Sequence, residues 1–262
     1  MFDLGLGPEL KGTWLGDLTF LQRLLICFGG TILASIGIIF VKSGKRFGIL
    51  PGKLLLRRDK RAPVLYLRSF DFDAFAAKDA IVDHHVITLY GRLPKMNLST
   101  YEGVLAEILK KVGPCIAISD PDSNKKVLGF SRLEFADDVW QCEVQKLMPK
   151  AALVLICSGM THWLQWELKQ AAALVVPERL VILITPGTNE DWWQLAEEVF
   201  QKHLPRLQAT PKDVFGGMIT FDRQKNPRYD TFVYYQKDLV SIKNSLSDAF
   251  KPIFTRLHVP AD

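Results

Sequence analysis

Between Val64 and Ile184 short apolar runs alternate with stretches of helical period, and this alternation restricts the fold more than any other feature of the chain. Val64-Leu65-Tyr66-Leu67-Arg68-Ser69-Phe70, Cys115 to Ile118, Ala152 to Cys157 and Leu180 to Ile184 are short and rich in strand-forming side chains. Between the first two, Tyr101 to Val112 sets Leu105, Ile108, Leu109 and Val112 at helical spacing. Ser99 or Thr100 can cap that helix, and Gly113-Pro114 stops it. Val139 to Met148 forms a second helix with Asp137 as its N-cap and Pro149 at its close. A third starts from the turn Ser158-Gly159 and runs to about Val175, before Pro177. Glu190 to Lys202 and Asp238 to Leu257 read as two more helices, with Met218 to Phe221 a short strand between them.

Strands separated by helices of this length imply βαβ units and a parallel sheet. The strands are nearly continuous in apolar residues, as strands buried on both faces must be. The expected architecture is therefore a flavodoxin-like, doubly wound α/β domain with a parallel sheet of about five strands. Asp122 to Phe135 reads as a polar loop, and Asp71 to Leu98 shows no clear period.

The charge is uneven. The net +5 hides a block from Lys42 to Arg61 that holds eight Lys or Arg and one Asp. Upstream, Leu24 to Val41 is eighteen residues without a charge. With Phe20 and Leu21 it approaches the ~20 residues that cross a bilayer as a helix. A cleaved leader fits less well, because Asp3, Glu9 and Asp17 precede the run and no small-residue cleavage site follows. The expectation is one transmembrane helix at about 20–41, within an N-terminal segment 1–62 that ends in a basic juxtamembrane linker. The flank before the run carries only Lys11 and Arg23. Lys and Arg gather on the cytoplasmic side, so the N-terminus is expected outside and residues 63–262 in the cytoplasm, beneath the plasma membrane. Membrane lipids are the expected partner of the block, and nucleic acid is not. Cys27, Cys115, Cys142 and Cys157 form no CxxC pair, so neither a metal site nor disulfides are expected.

Open parallel sheets bind ligands beyond the carboxyl ends of their strands. Here those ends carry Arg68-Ser69-Phe70-Asp71, Ser119-Asp120, Ser158-Gly159-Met160 and Thr185. No GxGxxG, P-loop, HExxH or GxSxG signature is present. What remains is Trp163-Leu164-Gln165-Trp166-Glu167-Leu168, on the first turns of the third helix. It sets one carboxylate, flanked by aromatics, beside that edge. An ordinary surface acid near a helix N-terminus has the same pattern.

In the order of these features the chain resembles the Toll/interleukin-1 receptor (TIR) domain. That family has an apolar first strand running into a Ser-Phe or Arg turn, and a serine after the third strand followed by a tryptophan and, four residues on, a Glu-Leu pair. Leu67-Arg68-Ser69-Phe70, Ser158 and Trp163 to Leu168 hold those places. The resemblance spans about Val64 to Pro186. It is closer to bacterial membrane-anchored TIR-like proteins bearing LYLRSF, Asp-Asp-x-Trp and Trp-Glu-Leu, here Leu65 to Phe70, Asp137 to Trp140 and Trp166 to Leu168. It implies cleavage of NAD at the nicotinamide–ribose bond, with NAD as substrate rather than cofactor and a use in bacterial defence signalling. It implies Glu167 as the catalytic residue, with Ser69, Phe70, Ser119 and Trp163 shaping the ligand pocket, and assembly into a homo-oligomer. The 122–135 loop and the tail from Glu190 depart from the family pattern. Two other functions fit the same residues: a non-enzymatic signalling scaffold, and a domain that senses a nucleotide without cleaving it.

Overall fold

A computed structural model describes residues 22, 26, 28–30, 49–68, 82–88, 91–96, 101–119, 129–136, 138–185, 188–206, 216–232 and 239–259, with side chains left aside at 82–88, 91–96, 119 and 239. Contacts divide the chain into two units, Met1–Gly48 and Ile49–Asp262. In the first, residues 22, 26 and 28–30 are helical, and the rest of the expected span lies outside the described residues. No helix of the described residues is long and apolar enough to cross a membrane.

The second unit is α/β. Its elements are α1 (Gly52–Arg58), β1 (Val64–Leu67), β2 (Val82–Thr88), β3 (Gly91–Met96), α2 (Tyr101–Leu109), β4 (Cys115–Ser119), β5 (Ser131–Glu134), α3 (Trp140–Leu147), β6 (Leu153–Cys157), α4 (His162–Leu174), β7 (Leu180–Ile184), α5 (Glu190–Phe200), β8 (Gly217–Phe221), β9 (Pro227–Thr231) and α6 (Leu239–Arg256). Seven strands form one sheet in the order β5-β4-β1-β6-β7-β8-β9, and β2 and β3 form a separate antiparallel pair. Neighbours from β5 to β7 are parallel, and β8 and β9 are antiparallel additions.

The period-two geometry of strands sorts the core into two layers. Val64, Tyr66, Leu153, Leu155 and Cys157 face α2 and α6, against Val104, Leu105, Leu246 and Phe250. Leu65, Leu67, Val154 and Ile156 face α4 and α5, against Leu164, Leu168, Trp192 and Ala196. Every residue of β1, β6 and β7 is buried, which is why each is apolar throughout.

Several expectations are corrected. The sheet has seven strands rather than about five. Residues 131–134, expected within a polar loop, form β5 and pair with β4. Only Ser131 and Leu133 of that edge strand face inward, so its sequence stays half polar. The expected strand at Met218 to Phe221 exists but runs antiparallel: it starts at the carboxyl edge, where the Gly216 amide donates to the Ile184 carbonyl. Asp137 lies outside the described residues, and α3 starts after Val139 without a side-chain cap. Gly52–Arg58, expected within a linker, is a helix whose Leu55 and Leu56 pack on the core beside β5.

Candidate functional site

The chain leaves β1 for β4 and β5 on one side and returns to β6 and β7 on the other. The strand order therefore reverses between β1 and β6, and the crevice of such a sheet opens there, at the carboxyl ends. Tyr66 and Cys157 stand at that edge on one face. The Cys157 thiol donates to the Tyr66 hydroxyl at 3.2 Å, and Tyr66 stacks on Phe130 at 4.5 Å. Burial pushes the Tyr66 phenol well up and the Cys157 thiol up to about 12, so both stay protonated at neutral pH. Arg68, one residue beyond β1, pairs with Glu102 of α2 at 2.7 Å, with both side chains almost wholly buried. Its guanidinium carbon lies 5.9 Å from the centre of the Tyr66 ring.

Glu167 enters from α4. Thr161 caps that helix, accepting from the Leu164 amide at 3.4 Å, and Leu164, Leu168 and Ala171 seat it on the sheet. The same seating buries Glu167 to 6% exposure. It has no hydrogen-bond or ion-pair partner among the described residues, and burial lifts its carboxyl to about 8. The arrangement is an acid in an apolar setting, which favours its neutral form.

The other sequence candidates are placed differently. Ser69 and Phe70 lie outside the described residues. Ser119 ends β4 opposite Glu134 of β5, and its side chain is outside the description. Trp163 is 43% exposed and meets the rings of Trp140 and His162 edge-on at 5.2 and 5.0 Å. Trp166 meets the same Trp140 ring at 5.1 Å, so this pair of tryptophans clamps α4 to α3. Ser158 closes the end of β6 onto the next strand: its hydroxyl accepts from the Thr185 amide at 2.8 Å and bonds the hydroxyls of Thr185 and Thr188.

The chain matches no protein-family model, no curated protein and no solved structure.

Among the described residues no group of His, Cys, Asp and Glu could hold a metal ion. Sequence reasoning missed the line Glu102–Arg68–Tyr66–Cys157. Arg68 stood in the quoted LRSF run, but Glu102 reads in sequence as an ordinary first-turn acid, and Cys157 as a small apolar residue. The pairing of β1 with β6 and the seating of α2 on the sheet bring them together, through the Cys157–Tyr66 and Arg68–Glu102 contacts.

Proposed function

We propose that this is a TIR-like, membrane-anchored effector that cleaves the nicotinamide–ribose bond of NAD with Glu167 and serves bacterial defence signalling from the inner face of the plasma membrane. The observation that carries the reading is Glu167: a buried carboxyl without a partner among the described residues, lifted to about 8, on the helix that follows β6. The topology supports it. With the edge strand β5 set aside, the order β4-β1-β6-β7-β8 is the 2-1-3-4-5 order of flavodoxin-like sheets. Glu167 then lies on the helix after the third strand, where the sequence resemblance puts the glutamate. The antiparallel β8 is the departure from that pattern.

The chemistry suits one carboxylate. The pyridinium of NAD is a cation, and beside Glu167 it favours the ionised acid. The bond between ribose C1′ and the ring nitrogen breaks, its electron pair going to nicotinamide, which leaves neutral. Glu167 stabilises the oxocarbenium-like sugar. Water then bonds to C1′ and releases a proton, giving ADP-ribose. A neutral leaving group needs no general acid, so one carboxylate suffices.

The test is nicotinamide release by the full chain clustered in liposomes, beside Glu167→Gln. Release that the variant loses is the expected result. A folded, clustered protein that releases nothing overturns the reading. Stabilisation by NAD without product would then indicate a sensor, and no response to NAD a scaffold.

A further inference from the structure

The fold gathers a second set of residues at the opposite edge of the sheet. Arg61 is bound into the loop before β1: its guanidinium holds Asp59 at 2.7 Å and also donates to the carbonyls of Lys111 and Lys110 at 2.9 and 3.1 Å. This bond spans the sequence from the end of α1 to the end of α2. It ties two basic segments, Lys53 to Arg61 and Lys110-Lys111, to each other at Arg61. The Val64 amide donates to the Pro114 carbonyl and the Ala152 amide to the Pro63 carbonyl, which puts the junction of the two segments at the amino ends of β1, β4 and β6. Lys150, exposed just before β6, lies on the same edge.

The surface is cationic by construction. Lys53, Arg57, Arg58 and Lys60 are exposed and have no carboxylate partner among the described residues. The one acid of the stretch, Asp59, is taken by Arg61. Among these cations Leu54 stands 46% exposed, while Leu55 and Leu56 on the other side of the same helix pack on the core. A short basic helix with one face anchored in a domain and an apolar side chain on the other has the composition of a bilayer-surface contact.

We propose that this edge of the folded domain docks on an anionic lipid surface, with the cations of α1 and of Lys110-Lys111 at the headgroups and Leu54 at the acyl boundary. The inference rests on the membrane placement proposed above and adds an orientation. A domain lying on its amino edge turns the carboxyl edge, with Glu167, away from the bilayer toward soluble substrate. Charge complementarity and the uncharged run Leu24 to Val41 earlier in the chain favour lipid over nucleic acid as the occupant.

The experiment is amide hydrogen exchange on the full chain in nanodiscs of phosphatidylcholine, with and without phosphatidylglycerol. In anionic discs exchange across 53–61 and 107–112 is expected to slow by roughly fivefold or more, and to recover at high salt. Arg57→Glu/Arg58→Glu and Lys110→Glu/Lys111→Glu are each expected to remove the difference while exchange in β6 stays unchanged. Equal exchange in both lipids, protection that the variants keep, or protection by a DNA duplex but not by anionic discs would overturn the inference. Retention in neutral discs after a carbonate wash reports the anchor separately. A chain that fails to enter discs refutes the anchor, and the same exchange with anionic vesicles added to the free chain then decides the docking.

Discussion

Glu167 carries the sharpest consequences at the scale of one residue. Its carboxyl lies near 4.5 when exposed and at about 8 in the fold, so the native state holds a proton that the unfolded chain has lost between these values. Stability from this group is therefore full at low pH and falls as pH rises from about 4.5 to about 8. The loss is on the order of 3–5 kcal/mol. Denaturant melts of wild type and Glu167→Gln across that range are expected to diverge, with the glutamine variant flat and the more stable of the two above pH 8. If Glu167 acts as the carboxylate, kcat/KM for NAD climbs over the same interval toward a plateau, because kcat/KM reports the free enzyme. The Arg68–Glu102 pair gives a second test. Removing one partner strands a buried charge, so Glu102→Ala is expected to cost about 3–5 kcal/mol, while Arg68→Met/Glu102→Leu costs far less. A double-mutant cycle by chemical denaturation reads both.

At the scale of elements, α1 is held by a close approach. A Cβ on Gly52 would lie 2.6 Å from the Arg132 carbonyl oxygen and 2.9 Å from a Leu133 methyl. Backbone cannot yield there as a flexible side chain would, so Gly52→Ala is expected to lift α1 off β5 and cost about 1–3 kcal/mol. A lower melting temperature and faster exchange at Leu55 and Leu56 would show it. The same comparison explains which elements the sequence revealed. Leu153–Cys157 and Leu180–Ile184 are buried at every position, so composition alone marks them. Ser131–Glu134 and Pro227–Thr231 are edge strands with exposed positions, and their polar residues read as loop. α1 was hidden by its cations, which face solvent while only Leu55 and Leu56 reach the core. Glu167 was legible as an acid placed on a helix beside a strand end. Its burial was not, since that depends on how Leu164 and Leu168 seat the helix on the sheet.

For the whole molecule, the unit that contains both core layers begins at Ile49, ahead of the boundary at 63 that punctuation by Pro and Gly suggests. A fragment starting at Ile49 is expected to unfold in one cooperative step. One starting at Pro63 lacks Leu55, Leu56 and the Arg61 bridge, and is expected to be less stable by several kcal/mol, on the order of two buried aliphatic side chains. Urea melts of the two fragments compare them directly. The far rim of the sheet has a consequence of its own. β9 begins with Pro227, which has no amide hydrogen to offer, and Arg228 and Asp230 of the same strand hold each other at 2.8 Å. Proteins protect an open strand in this way from adding another. The β9 rim is therefore a poor template for a further strand, and any growth of the sheet from copy to copy would have to start elsewhere than at β9.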